Sequence, residues 1–283
     1  MARVSTPADT PADSAPPAAP PPRAAGLLVG DELLSGKIRD SNGYFLAQSL
    51  RRRGIALTEI RTVSDDPRDI GHALLALAES ADFVFTSGGV GPTHDDRTLS
   101  AIAAATGRPL VRHAEMAAQL RESYGDKLND AALSMADLPE GTAAVFDTRT
   151  AAGKGWPVLR LDLPQSRVYI LPGVPSLFRA KIEQLEALPD ELPMRGGWHL
   201  AEVHTSLEES RLAPLLDAVL ERFAEVQIGS YPRWTRADDG RVSQDVRVTL
   251  EGPATLEARV REARQALVES LPDGALIPAA APL

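Results

Sequence analysis

Apolar and polar residues follow two different rhythms along this chain, and the rhythm changes near residue 190. From Gly26 onward, short apolar runs alternate with longer stretches in which apolar residues recur three or four positions apart. Leu27 to Val29 predicts a strand. Asn42 to Arg53 predicts a helix with Phe45, Leu46 and Leu50 on its apolar side and a stop at Gly54. Ile55 to Val63 predicts a second strand, Pro67 to Ser80 a helix with proline in its first turn, Phe83 to Phe85 a third strand, and Thr98 to Ala105 another helix. Strands alternating with helices predict a parallel sheet covered on both faces. Residues 114 to 135 read as helical. Ala143 to Phe146, Val158 to Leu161 and Val168 to Leu171 read as strands, and Pro172-Gly173-Val174-Pro175 opens a helix to Ala187.

Leu188 to Gly197 holds two prolines and two glycines and reads as a linker. Beyond it the predicted elements are a strand (Trp198 to Thr205), a helix (Leu207 to Phe223), two strands (Val226 to Tyr231 and Val242 to Leu250), a helix (Ala254 to Leu271) and a short strand (Ala275 to Ile277). The order β-α-β-β-α-β is that of a ferredoxin-like unit. The predicted class is therefore α/β, a three-layer parallel-sheet domain over 25–190 followed by a smaller ferredoxin-like α+β domain over 191–283. Residues 1–24 are rich in Pro and Ala, offer little surface to bury, and are expected to form a disordered tail.

Composition narrows the function. The chain has 283 residues with a net charge of −9, which argues against a nucleic-acid partner, since that requires clustered Lys and Arg. No apolar run has membrane-spanning length, so no membrane partner is expected. Cysteine is absent, which excludes disulfides, thiolate catalysis and Cys-zinc sites and fits a cytoplasmic protein.

Three loops carry candidate chemistry, each after a predicted strand, where ligands bind in parallel sheets. The most specific is Gly88-Gly89-Val90-Gly91-Pro92-Thr93-His94-Asp95-Asp96, between the third strand and its helix. Glycines let a ligand approach the backbone, and N–H groups at a helix start attract phosphate. Carboxylates beside a phosphate repel it unless a cation lies between them, and hard oxygen ligands suit Mg²⁺. The second loop runs from Gly30-Asp31-Glu32 to Asp40-Ser41-Asn42, and the third is Ser64-Asp65-Asp66. Singly, the last two read equally well as helix caps. His94 reads either as a phosphate, metal or general-acid group or as a hydrogen-bonding loop residue. Lys154 and Arg97 are candidate neutralisers of phosphate charge, and Tyr231 and Trp234 candidate ring stackers or ordinary packing residues.

Taken together, these residues resemble the molybdopterin-binding (MoaB/Mog-like) domain family. Gly30-Asp31-Glu32-Leu33-Leu34, Asp40-Ser41-Asn42 and Gly88 to Asp96 are similar to its competence/damage-inducible protein A branch. Tyr169 to Pro175, Ile228-Gly229-Ser230-Tyr231-Pro232, Asp245 to Leu250 and Leu271 to Pro278 are similar to the corresponding region of animal FAD synthases. Thr150 to Pro157 departs from the competence-type pattern, and nothing here resembles the FAD-forming reductase-like domain or the deamidase domain of longer relatives.

The resemblance implies a three-layer core that self-associates, hence a homo-oligomer. Family members bind molybdopterin and adenylate it. The competence and FAD-synthase branches are associated with divalent-metal pyrophosphatase activity on ADP-ribose or FAD. The expected function is therefore a pyrophosphatase using Mg²⁺ or Co²⁺ on a small-molecule nucleotide. The alternatives are a non-catalytic pterin- or nucleotide-binding module and a molybdopterin adenylyltransferase. Asp65 matches a catalytic carboxylate and, with Asp95 and Asp96, is expected to hold the metal. Asp65, Asp95 and His94 are the catalytic candidates. Gly30, Asp40, Asn42, Gly88, Gly89, Gly91, Thr93 and Gly173 are expected around the phosphates.

Overall fold

The computed structural model describes residues 20–146, 156–194, 196–236 and 242–278. Most of the expected tail and Lys154 lie outside the described residues. The end of the expected tail is a strand, since β1 runs Arg23–Val29. The small residues Ala24, Ala25 and Gly26 show weak apolar character in sequence, yet they suit a buried strand covered on both faces. A side chain at Gly26 would press on Leu46 at 3.3 Å. Arg23 is tied down as its N–H donates to the Asp82 carboxylate at 2.7 Å.

The first half continues with α1 (Asp31–Leu34), α2 (Asn42–Arg52), β2 (Ala56–Val63), α3 (Pro67–Ser80), β3 (Phe83–Ser87) and α4 (Thr98–Thr106). Then come β4 (Leu110–Arg112), α5 (Ala114–Tyr124), α6 (Asp130–Ser134) and β5 (Asp137–Pro139). β6 (Ala143–Val145), β7 (Val158–Asp162), β8 (Arg167–Ile170) and α7 (Pro175–Glu186) complete it.

One six-stranded sheet has the order β2-β1-β3-β8-β7-β6. The first four strands are mutually parallel, but β7 runs antiparallel to both β8 and β6. The sheet is thus mixed rather than parallel throughout. The reason is connection length, because the turn from Asp162 to Arg167 is too short for a parallel crossover. The stretch expected to be helical over 114–135 is two helices, and β4 and β5 pair as a separate antiparallel ribbon.

Alternate residues of each buried strand face opposite layers. Ala25, Leu27, Val29, Val84, Val168 and Ile170 pack with Leu74, Leu77, Ile102 and Leu120. Ala24, Phe85, Tyr169 and Leu171 pack with Leu46, Leu50, Phe178 and Ile182 on the other side. Tyr169 stacks on Phe85 at 5.2 Å, and its hydroxyl donates to the Glu191 carbonyl at 2.6 Å. On the first side α3 and α4 touch through small residues, and a methyl group on Gly71 would lie 2.9 Å from the Ala105 methyl.

The second half holds β9 (Trp198–Thr205), α8 (Glu209–Arg222), β10 (Gln227–Arg236), β11 (Val242–Pro253) and α9 (Glu257–Ser270). Its sheet is antiparallel in the order β10-β11-β9 and has a core of its own, including Val203, Leu212, Phe223, Val248 and Leu267. The expected last strand contracts to one antiparallel bridge between Thr205 and Leu276. Pro272 and Pro278 bracket that segment and neither can donate to a ladder. At the end of α2, Arg51 pairs with Glu251 and lies 5.0 Å from the Trp198 ring centroid, linking the two halves.

Candidate functional site

Because β2, β1, β3 and β8 are parallel, their carboxyl ends share one edge of the sheet. A cavity of about 900 Å³ opens there. Gly30, Asp40 and Asn42 from the first loop, Asp65 from the second, and Gly88, Gly89, Gly91, Asp95 and Asp96 from the third all line it. Gly173 joins them from the turn after β8. The three loops singled out in the sequence therefore meet in one cleft.

The glycine-rich turn is closed by Thr98. This residue is fully buried, and its hydroxyl donates to the Gly88 carbonyl at 2.8 Å. Its N–H donates to the Gly89 carbonyl at 2.9 Å. Gly88 and Gly89 have φ of 107° and 66°, a region that L side chains rarely adopt. A side chain on Gly88 would strike the Val29 carbonyl, and one on Gly89 would strike the Thr98 hydroxyl. These two glycines are thus required by the protein's own packing. The Gly88 N–H is taken by the Leu171 carbonyl at 3.2 Å. The N–H groups of Gly89, Val90 and Gly91 have no acceptor among the described residues.

Two residues expected at the phosphates have other roles. Asp40 caps α2, accepting from the N–H of Asn42 at 2.9 Å and of Gly43 at 3.1 Å. Asn42 is buried, and its amide donates to the Ser87 hydroxyl at 2.9 Å and the Gly173 carbonyl at 2.8 Å. Both side-chain donors are therefore spent, and only its buried oxygen lacks a partner. Asn42 ties the loop before α2 to the ends of β3 and β8.

The cleft wall is acidic, with Glu32, Asp40, Asp65, Asp95 and Asp96 against Arg39 and Lys181. Asp65 accepts from the Asp31 N–H at 3.1 Å. Asp96 accepts from the Thr93 N–H at 2.9 Å and from the Thr93 hydroxyl at 2.5 Å, which folds the acidic end of the turn on itself. The neighbouring Thr93 hydroxyl, a backbone N–H and the nearby His94 and Arg97 hold the Asp95 carboxyl below the usual range. Thr93 does not line the cleft. Neither does His94, whose ring is 94% exposed and 3.9 Å from Asp95. Among the described residues, no three acidic or histidine side chains gather as a ready-made metal cage.

The aromatic rings at the cleft are Trp156 and Tyr124, not the candidate stackers Tyr231 and Trp234. Tyr231 instead lies against Arg247, 5.1 Å from the ring centroid, on the second sheet. Lys181 is a further cleft residue, not among those expected from the sequence. Burial pushes its ammonium down to about 8. A signal was available, because Val174, Leu177 and Lys181 fall on one helical face directly after the Pro172-Gly173 turn.

Fold and site together define an α/β protein with its ligand cleft at the carboxyl edge of the parallel strands. Residues 25–189 match the family described as a probable molybdopterin binding domain, and residues 197–280 match the middle domain of FAD synthase. The chain belongs to the molybdopterin-binding (MoaB/Mog-like) domain family, in its competence/damage-inducible protein A branch. A protein of Pyrococcus horikoshii is 36% identical over 220 residues, covering 73% of this chain and 83% of that protein. A CinA-like protein of Anaeromyxobacter dehalogenans is 32% identical over 246 residues, covering 83% of this chain and 57% of its own length. A probable FAD synthase of Caenorhabditis elegans is 28% identical over 264 residues, and the chain spans 50% of it. The crystal structure of the protein CinA from Thermoplasma acidophilum superposes with a TM-score of 0.54 at 30% identity, covering 59% of this chain and 98% of that one.

Proposed function

We propose that the cleft binds a dinucleotide-like pyrophosphate such as FAD or ADP-ribose and hydrolyses it with a divalent cation, Mg²⁺ or Co²⁺. One observation carries this reading: three backbone N–H groups, those of Gly89, Val90 and Gly91, have no acceptor among the described residues and sit in a cavity walled by carboxylates. The N–H groups suit phosphate oxygens, and the carboxylates suit them only with a cation between. Two cleft carboxylates, Asp65 and Asp95, fit a cation whose coordination is completed by ligand oxygens and water, as Mg²⁺ prefers, rather than a cage made by protein alone. When bound, the cation would neutralise phosphate charge and acidify water.

The chain's own groups have distinct tasks. The N–H groups of the turn orient the phosphates and stabilise charge that grows on them. Hydrolysis adds water to one phosphorus and breaks the bridging P–O bond, so ADP-ribose would yield AMP and ribose 5-phosphate. Asp95, ionised down to lower pH than an ordinary carboxyl, stays charged across the neutral range. Its neighbour His94 lies at the mouth of the turn, outside the lining. We further propose that the protein works in the cytoplasm as a homo-oligomer; no helix among the described residues is long and apolar enough to cross a membrane.

The test is turnover of FAD and ADP-ribose against Mg²⁺ and Co²⁺ concentration. Asp65→Asn and Asp95→Asn should fold normally, because both lie on loops, and should lose about a hundredfold in rate, the weight of one transition-state contact. Variants that match wild type at every metal concentration would remove these residues from the site. Binding without turnover by the wild type would make the protein a nucleotide- or pterin-binding module instead.

A further inference from the structure

We propose that Lys181 is a second anion-binding point in the cleft, receiving a phosphate monoester that the ligand carries apart from the phosphates on the glycine turn. The inference rests on the reading of the cleft as a nucleotide site and names a feature of its substrate.

Lys181 lines the cleft, and its ammonium donates to the Trp156 carbonyl and to Gln184 Oε1 at 3.2 Å. Gln184 is itself held by the Val145 carbonyl at 2.9 Å. Both acceptors are neutral, and no carboxylate pairs with Lys181 among the described residues. An ammonium has three donors, so one remains. A partly buried cation with neutral partners only is costly unless something brings an opposite charge. The lowered affinity of this amine for its proton, down to about 8, is the same cost seen from the other side.

Position separates this group from the glycine turn. Gly173 abuts the turn, since a side chain there would lie 3.1 Å from Gly88 Cα. α7 starts two residues later, at Pro175. Lys181 is six residues further along it, about 9 Å at 1.5 Å per residue. The contact with Gln184, nearly one turn beyond, keeps the ammonium from folding back toward the turn. A pyrophosphate seated on Gly89 to Gly91 does not cover that interval, so the anion at Lys181 must be a separate group. Lysine serves as a point charge for phosphate, and Trp156 beside it offers a flat apolar face.

The experiment compares two ligands that differ by one phosphate monoester, the non-hydrolysable methylene-bridged analogues of ADP-ribose and of ADP-ribose 2′-phosphate, by calorimetric titration of the whole chain with Mg²⁺. In wild type the 2′-phosphate compound should bind about tenfold more tightly, the weight of one charge-assisted hydrogen bond. In Lys181→Met that ratio should collapse to about one, and in Lys181→Arg it should stay well above one. Equal affinities in wild type, or a ratio unchanged in Lys181→Met, would overturn the inference while leaving ADP-ribose binding and the nucleotide reading in place. If neither ligand binds wild type, both readings fall together.

Discussion

Thr98 never faces the ligand, yet it closes the turn that would hold the phosphates, through its two bonds to Gly88 and Gly89. The glycines answer to it. Gly89→Ala would force a methyl group into a left-handed backbone and against the Thr98 hydroxyl. The expected loss is about 1–3 kcal/mol of stability, visible in chemical denaturation without any ligand. If Gly89→Ala unfolds at the wild-type midpoint and only ligand affinity falls, the turn is shaped by the ligand instead. Lys181 gives a second test at this scale. Its folded-state value of about 8 lies below the ordinary 10.5, so the unfolded chain holds more protons between those values. Stability should therefore rise as pH climbs from about 8 toward 10.5, and Lys181→Met should flatten that rise. Denaturation midpoints across that range measure it. The glycines and carboxylates were legible in the sequence because their spacing is unusual. Lys181 was not, because one lysine in an amphipathic helix looks like any solvated charge until the cleft is drawn.

Among the elements, strong periodicity predicts best, and α3 matches the expected Pro67 to Ser80 residue for residue. Strand direction was harder. β7 and β8 look like the parallel strands before them, since all are short apolar runs, and only the brief Asp162-to-Arg167 connection reveals the reversal. β1 is longer than its apolar pattern predicts, because alanine and glycine carry little apolar signal. β4 and β5 leave no mark in the sequence pattern, because three-residue strands have no period to detect. β8 carries a buried polar contact at Tyr169. Tyr169 is wholly buried, and burial holds its hydroxyl neutral well beyond the usual range. Tyr169→Phe keeps the stack on Phe85 but removes the closer of two donors to the Glu191 carbonyl, leaving Arg167 Nη1 at 3.3 Å. It should cost about 1–2 kcal/mol, read as a lower thermal midpoint. An unchanged midpoint would mean that solvent or another donor replaces the hydroxyl.

Among the described residues, two main sheets have separate cores beside the small β4–β5 ribbon, and all the cleft residues come from the first half. Ligand should therefore stabilise the halves unequally. In differential scanning calorimetry, a non-hydrolysable methylene-bridged analogue of ADP-ribose with Mg²⁺, at a hundred times its Kd, should add about 2.7 kcal/mol to the unfolding of the first half. The transition of the second half should barely move. A single transition that shifts as a unit would show that the halves unfold together. The contact between α3 and α4 carries one more implication. Gly71 follows Asp65 by six residues but does not line the cleft, with Ala105 pressed against it, and α4 begins at the very residue that latches the glycine turn. A bulkier residue at 71 would push α4 as a rigid lever and pull Thr98 off its two carbonyls. Position 71 is thus a remote handle, a place from which the cleft can be switched off while every residue that lines it is left untouched.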